Sequence, residues 1–295
     1  MNSAIVAGAN GFVGSAVVAH LLKQGIQVVS IGRRKRDNKS KSEIYLEIDM
    51  ANINTIEGEL RRKNWDFEKS CVFYNFSWYG NLVLTDGTLD QQMKNVFHSV
   101  EAVKTAKQLG CSKFINCGTL EETFCEENLI ALNSKYQLTQ KNYVLAKLAS
   151  RDFSKFTAYS NQIDYIHTRL SVPFSAGFTR NSYIENNLRL LTKKMPIEEP
   201  KNKNIFDLIN VNDVADAYFK IGLHGKNLSD YFIGSDSPAK LQDYFIFLYE
   251  VIQKQPISTA KKIEAETLKI FDTSLLQEHT GYVPSASFKN YVKSL

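Results

Sequence analysis

The sequence is short of the residues that build stapled or metal-held folds. It has four cysteines, Cys71, Cys111, Cys117 and Cys125, with no Cys-x-x-Cys pair among them and no histidine at metal-ligand spacing. Cys71 and Cys117 fall in or beside apolar strand-like runs, where a reduced thiol serves as a small hydrophobe. This predicts a disulfide-free, metal-free cytoplasmic protein. No segment approaches the roughly 20 consecutive apolar residues of a membrane helix. No basic region precedes an apolar stretch at the start, and Ser3–Ala7 reads as a strand, so no signal peptide is expected. Internal repeats and low-complexity linkers are also missing, which excludes solenoid and array architectures. The net charge is only +5. Much of it lies in Arg33-Arg-Lys-Arg36 with Lys39 and Lys41, a run without interleaved aromatics, so nucleic-acid binding is not expected.

The 295 residues present are enough for one large core or two joined ones. Ser3–Ala7 is an apolar run, Phe12–Lys23 has helical spacing closed by Gly25, and Gln27–Ile31 is β-branched and apolar. Together they spell a strand–turn–helix–strand unit. The rhythm continues with strands at Glu43–Ile48, Cys71–Phe76, Lys113–Cys117 and Ile163–Leu170. Helices are predicted at Ile53–Arg62, Leu89–Leu109 and Tyr136–Tyr159. Alternating strands and helices predict an α/β fold, a doubly wound parallel Rossmann sheet covered on both faces. Beyond residue 170 the pattern changes. Thr179–Asn187 reads as loop and short helix, Ile205–Ile209 and Tyr231–Ile233 as short strands, and Val211–Leu223 and Leu241–Ile252 as helices. The expected layout is a nucleotide-binding domain at 1–170 and a smaller interleaved substrate lobe at 171–295, with 205–233 returning to the sheet.

Two motifs carry chemistry. The string Ala7-Gly-Ala-Asn-Gly-Phe-Val-Gly14 lies where the first strand hands over to the first helix. A dinucleotide pyrophosphate approaches the positive end of a helix dipole most closely where side chains are small. Gly8, Asn10, Gly11, Phe12, Val13 and Gly14 are therefore candidate cofactor contacts. An acid at the end of the second strand would select NAD, and arginine there accommodates the 2′-phosphate of NADP. Arg33 and Arg34 stand at that place, with no acid before Asp37, so NADP(H) is expected and NAD(H) is the alternative. A solvated basic loop is the plainer reading. Asp49, with Met50 beside it, either meets the adenine edge or caps the helix that follows. The second motif is Tyr143 and Lys147, four apart on one helix face. An ammonium near a phenol favours the phenolate, and the lysine can also hold the nicotinamide ribose.

These motifs in this order resemble the extended short-chain dehydrogenase/reductase family of nucleotide-sugar epimerases, dehydratases and ketoreductases. The resemblance covers nearly the whole chain. Phe114-Ile-Asn-Cys-Gly-Thr119 is similar to the strand bearing the family's catalytic Ser/Thr, with Thr119 24 residues before Tyr143. Asn75-Phe-Ser-Trp-Tyr-Gly80 stands where the family has its loop beside the nicotinamide, which adds Phe76, Ser77 and Trp78 to the expected cofactor contacts. Asn95 matches the family's helix asparagine, which the resemblance adds as a further expected cofactor contact. Asn210-Val-Asn-Asp-Val-Ala215, Asp272-Thr-Ser-Leu-Leu276 and Gly281-Tyr-Val-Pro284 are similar to its later signatures. The chain departs from the pattern at Gly118, where a second serine is common, at Thr123-Phe124 in place of Tyr-Gly, and around Tyr143, where the usual proline and small residues are missing.

The resemblance implies Thr119, Tyr143 and Lys147 as catalytic residues. It implies an NADPH-dependent ketoreductase of a nucleotide-linked 4-keto-6-deoxy sugar, in bacterial surface-polysaccharide sugar biosynthesis. The alternatives are a 4-epimerase or 4,6-dehydratase on the same fold and, less favoured, a non-catalytic NAD(P) sensor. The expected partner is a nucleotide-sugar substrate, with a homodimer as a further expectation. Thr119-Leu-Glu121 matches the Thr-x-Glu form of the dehydratases, whose acid removes a sugar proton. A solvated loop acid is the plainer reading of Glu121. The five histidines are read as structural.

Overall fold

The computed structural model describes residues 1–38, 40–65, 70–80, 87–130, 141–197, 204–254 and 268–294. Six parallel pairings build one seven-stranded sheet from β1 (Ser3–Ala7), β2 (Gln27–Gly32), β3 (Glu43–Glu47), β4 (Cys71–Asn75), β5 (Lys113–Thr119), β6 (Asp164–Leu170) and β10 (Asp230–Ile233). The spatial order is β10-β6-β5-β4-β1-β2-β3, the doubly wound order with one strand added beyond β6. The strands all run the same way, but the order in which they are added reverses between β1 and β4, the place where a doubly wound sheet opens a crevice at its carboxyl ends.

The period-two geometry of a strand explains why these strands read as unbroken apolar runs. On one face Ala4 and Val6 pack with Val17 and Leu21 of α1 (Phe12–Lys23) and Tyr218 and Ile221 of α7 (Val211–His224). On the other, Ile5 and Ala7 share a core with Ile56 of α2 (Ile56–Arg62), Val103 of α3 (Leu89–Gln108) and Ala158 of α5 (Lys141–Ser160). Burial of both faces leaves no polar alternation to read. Lys113, at the start of β5, points its ammonium at the end of α7 and donates to the carbonyls of Ile221, Gly222 and Gly225 at 3.4, 3.3 and 2.7 Å.

A third core belongs to the C-terminal lobe. It joins Phe174 of β7 (Val172–Phe174), Leu188 of α6 (Tyr183–Thr192), Phe206 of β8 (Ile205–Phe206), Leu208 of β9 (Leu208–Asn210), Leu248 of α8 (Leu241–Gln253) and Phe288 of α10 (Phe288–Lys293). The short helix α9 (Ser274–Thr280) sets Leu276 against the first core instead.

Several expectations are corrected. Only Asp230–Ile233 of the 205–233 stretch joins the large sheet. β8 pairs antiparallel with β11 (Ala239–Lys240) and β9 pairs parallel with β7, because Ile205, Phe206 and Leu208 pack in the aromatic core of the lobe, while Ile209 alone turns to the first core. The helix expected at Ile53–Arg62 is α-helical only from Ile56, as α2; before it runs a 3-10 segment, Met50–Thr55, kinked at Asn52. β5 runs two residues beyond Cys117, which makes Thr119 its last residue. The start of the helix expected from Tyr136, residues 136–140, lies outside the described residues. The segment after Thr119 is not a loop. It is the helix α4 (Leu120–Ile130), which sends Leu120 and Phe124 into the lobe core and Cys125 toward Tyr143 and Val144.

Candidate active site

The glycine turn closes against the sheet so tightly that side chains have no room. Gly8 has φ +80°, and a Cβ on it would lie 2.8 Å from the Phe76 carbonyl carbon and the Ser77 nitrogen. A Cβ on Gly14 would lie 2.3 Å from the Gly8 carbonyl oxygen. Gly11 N-caps α1 and donates its N–H to that same oxygen at 2.9 Å. No side chain caps this helix, and its first turn, where Phe12 and Val13 sit, has no acid. The positive end of a 12-residue helix is thus left for an external anion, which is the requirement of a pyrophosphate. Asn10 acts as a strut. Its Nδ2 donates to Tyr45 Oη at 2.8 Å and to the Arg34 carbonyl at 3.2 Å, and its Oδ1 accepts from Arg36 Nε at 2.8 Å.

Three arginines follow β2 with different roles. Arg36 pairs at 2.5 Å with Glu43, a buried acid that also accepts from Ser30 Oγ at 2.5 Å. Arg33 and Arg34 are exposed. Arg33 lies 4.7 Å over the Tyr79 ring and 4.0 Å from Asp49 Oδ2. The sequence reading missed Arg36, Glu43 and Tyr45 as the base that holds this corner. Asp49 caps the segment that follows, accepting the Ala51 N–H at 3.0 Å, and Met50 is buried in the core beneath.

The loop after β4 is anchored rather than free. Phe76 packs edge-on against Tyr218, and the Ser77 N–H reaches Asn75 Oδ1 at 3.3 Å. Trp78 Nε1 donates to Gln92 Oε1 at 2.8 Å. Asn95, read as a cofactor contact, holds this loop: its amide bonds both the N–H and the carbonyl of Tyr79 at 2.9 Å.

Tyr143 and Lys147 come from one face of α5, and both are buried. Lys147 Nζ donates to the Cys117 carbonyl at 2.7 Å, which ties α5 to β5 two residues before Thr119. The same ammonium lies 3.9 Å from the Trp78 ring centroid and 5.8 Å from that of Tyr143. Trp78 meets Tyr143 edge to face at 5.9 Å. Burial pushes the Lys147 ammonium down from its ordinary value, against the opposing pull of Cys117 and the Glu122 carboxylate.

The acids of α4 sit beside this cluster. The Glu121 N–H reaches Thr119 Oγ1 at 3.4 Å, one of its carboxyl oxygens is buried without a hydrogen-bond partner among the described residues, and burial raises the group to about 7. The solvated-loop reading of Glu121 is therefore corrected. Glu122 is fully buried and accepts the Thr119 N–H at 2.8 Å and His167 Nε2 at 2.7 Å. Sequence reading missed both Glu122 and His167. His167 carried a signal in its place within the strand run Ile163–Leu170; Glu122, between Glu121 and Thr123, carried none. Among the described residues, no three His, Cys, Asp or Glu side chains group to hold a metal, and no helix is long and apolar enough to cross a membrane.

The sequence model of the NAD dependent epimerase/dehydratase family matches residues 4–234. The chain is 23% identical to CDP-abequose synthase of Salmonella typhimurium over 248 residues, which cover 83% of this chain and 79% of that one. Among solved structures it is similar to UDP-glucose 4-epimerase of Thermotoga maritima, with a TM-score of 0.73 and 15% identity, over 99% of this chain and 96% of that one. It is also similar to dTDP-glucose 4,6-dehydratase of Bacillus anthracis in complex with NAD, with a TM-score of 0.73 and 13% identity, over 100% and 95% of the two chains. At these identities the structural likeness speaks for the fold.

Proposed function

The chain belongs to the NAD dependent epimerase/dehydratase family, and on that premise we propose that it is an NADPH-dependent ketoreductase of a nucleotide-linked 4-keto-6-deoxy sugar. The observation that carries the reading is the Tyr143–Trp78–Lys147 cluster, its Tyr143 and Lys147 buried, tied at Cys117 to the strand that ends in Thr119. The glycine cradle and the uncapped end of α1 fit a dinucleotide, which Gly8, Gly11 and the first turn of α1 would hold by its pyrophosphate. Arg33 and Arg34 would take the 2′-phosphate. NADPH, when bound, supplies hydride to the keto carbon. Tyr143 gives its phenolic proton to the oxygen that becomes the alcohol, and Thr119 Oγ1 hydrogen-bonds that oxygen as it gains charge. The charged Lys147 holds the nicotinamide ribose and favours the phenolate left on Tyr143.

A consumed cofactor agrees with Arg33 and Arg34 at the end of β2, where an acid would mark the NAD kept by epimerases. Likeness over most of both chains to a synthase named for a CDP-linked sugar supports a nucleotide sugar as substrate. One observation favours a second reading. Glu121 is raised to about 7 and stands next to Thr119, where it could remove a ring proton as a 4,6-dehydratase acid does.

The test is to incubate the protein with NADPH and a panel of nucleotide 4-keto sugars and follow cofactor absorbance with product analysis. A reductase oxidises one NADPH per product. Conversion of an unoxidised nucleotide sugar with no net NADPH loss, abolished by Glu121→Gln, would replace this reading with the dehydratase. The cofactor choice has its own test. Replacing Arg33 and Arg34 together by alanine should weaken NADPH binding and leave NADH nearly unchanged; equal loss for both would overturn it. The protein is also proposed to act as a cytoplasmic homodimer through α3 and α5, whose outer faces expose Phe97, Leu145, Phe153, Phe156 and Tyr159.

A further inference from the structure

Gly118, Glu122 and His167 form a unit that the reaction as described above does not use. A Cβ on Gly118 would lie 2.4 Å from Glu122 Oε1 and 2.4 Å from His167 Nε2. The serine common at this place would therefore strike the pair, and glycine is what admits it. Glu122 and His167 are 0% and 2% exposed. Desolvation opposes the Glu122 charge, but the facing His167, with Lys147 and Arg169 beyond it, prevails and holds the carboxyl below its ordinary range. One carboxylate oxygen binds His167 Nε2 at 2.7 Å and the other accepts the backbone N–H of Thr119 at 2.8 Å.

The pair also ends a buried polar chain. His167 Nδ1 is 3.4 Å from Tyr165 Oη, which accepts from Asn116 Nδ2 at 3.3 Å. Asn116 Oδ1 accepts from Asn75 Nδ2 at 3.1 Å, and Asn75 Oδ1 accepts the Ser77 N–H at 3.3 Å. Ser77 is the residue whose backbone closes on Gly8. The cofactor loop and the threonine thus lie at the two ends of one hydrogen-bonded path through the sheet. A buried charge with its hydrogen-bond partner is seldom a net gain in stability over apolar side chains of similar size, so the presence of the Glu122 carboxylate and His167 here calls for another role.

We propose that Glu122, braced by His167, is a positioning residue that fixes the backbone of Thr119 so that its hydroxyl meets the keto oxygen of the substrate. The proposal rests on the ketoreductase reading for the identity of that oxygen. It does not rest on it for the bond between Glu122 and Thr119.

The test uses the full chain and three measurements. Glu122→Gln can still accept the Thr119 N–H through its amide oxygen and should keep kcat within a few-fold of wild type. Glu122→Val combined with His167→Val replaces both polar partners together by apolar side chains, so it should fold with a Tm close to that of wild type. Its kcat should nevertheless fall by about 100-fold, with KM for the keto sugar changed only a few-fold, as a misplaced reacting group does. A double variant that folds this well and keeps its kcat would overturn the proposal. The third measurement needs no substrate. Only Thr88 and Thr119 follow a glycine in the sequence, so glycine labelled at its carbonyl carbon and threonine labelled at its nitrogen give two selectable amide signals. The double variant should move the Thr119 signal upfield and leave Thr88 in place; an unmoved Thr119 signal would also overturn it. If wild type reduces no keto sugar in the panel, the ketoreductase reading fails, and Glu122 is judged on the amide signal alone.

Discussion

At the scale of single residues, burial decides what each acid and base can do. Glu121 and Glu122 are neighbours in the chain with opposite fates. Among the described residues Glu121 has no cation against it and burial raises it to about 7, whereas Glu122 has His167 and stays charged. The first has a consequence in stability. The folded chain keeps a proton on Glu121 that the unfolded chain releases near the ordinary 4.5. Stability from this group is therefore fully present below that pH and lost as pH rises to about 7. Glutamine is neutral throughout. The stability of Glu121→Gln relative to wild type should rise between these limits and then level off, with a total gain of at most roughly 3 kcal/mol. Urea titrations at stepped pH measure it, and a flat difference would count against the shift. Tyr143→Phe is the matching test of chemistry. It should keep the fold and NADPH binding and lower kcat by ~10²–10⁴-fold, the usual worth of a general acid; near wild-type turnover would remove Tyr143 from the reaction.

At the scale of elements, legibility followed the number of partners each element serves. α1 was plain in the sequence because Val17, Val18 and Leu21 face one core. The strands were plain because both faces are buried, which leaves runs such as Ile5-Val6-Ala7. α4 was not. It starts straight from β5 with no turn between them, and its inward side chains go to three places: the lobe core, the Tyr143 cluster and His167. No single stripe results, so periodicity has nothing to detect. β8 and β9 misled for a related reason, since an apolar strand does not say which sheet it joins. The candidate site was legible where a motif is local, as in the glycine turn and the Tyr143–Lys147 pair. The contributions of Glu122, His167 and Arg36 depend on pairings across 45 and 7 residues, which only the folded sheet brings together. The glycine turn gives a prediction at this scale. Gly14→Ala drives a Cβ toward the Gly8 carbonyl at 2.3 Å, so α1 must move off β1. A loss of about 2 kcal/mol is expected, as for overpacked cores, together with weaker NADPH binding. Calorimetry and cofactor titration check both, and unchanged values would mean the turn yields more easily than its contacts imply.

At the scale of the whole molecule, the outer face of α5 is the most conspicuous unpaired surface. Phe153, Phe156 and Tyr159 recur at helical spacing and are 57%, 70% and 74% exposed. Phe156→Asp should turn a dimer into a monomer in sedimentation analysis with little change in Tm. A wild-type chain that sediments as a monomer at micromolar concentration would remove α3 and α5 as an interface.

The strand Asp230–Ile233 has a bearing on how the protein is made. It completes the nucleotide-binding sheet from far along the chain, and α7, which covers α1, is likewise translated long after the glycine turn has left the ribosome. A nascent chain that has reached only the end of β6 carries an open parallel edge there and an apolar stripe on α1 with nothing over it, both invitations to the wrong partner. The cradle for the dinucleotide therefore matures last rather than first, although its motif is the earliest in the sequence. A fragment cut after residue 170 would lack both the strand that closes this edge of the sheet and the helix that covers α1.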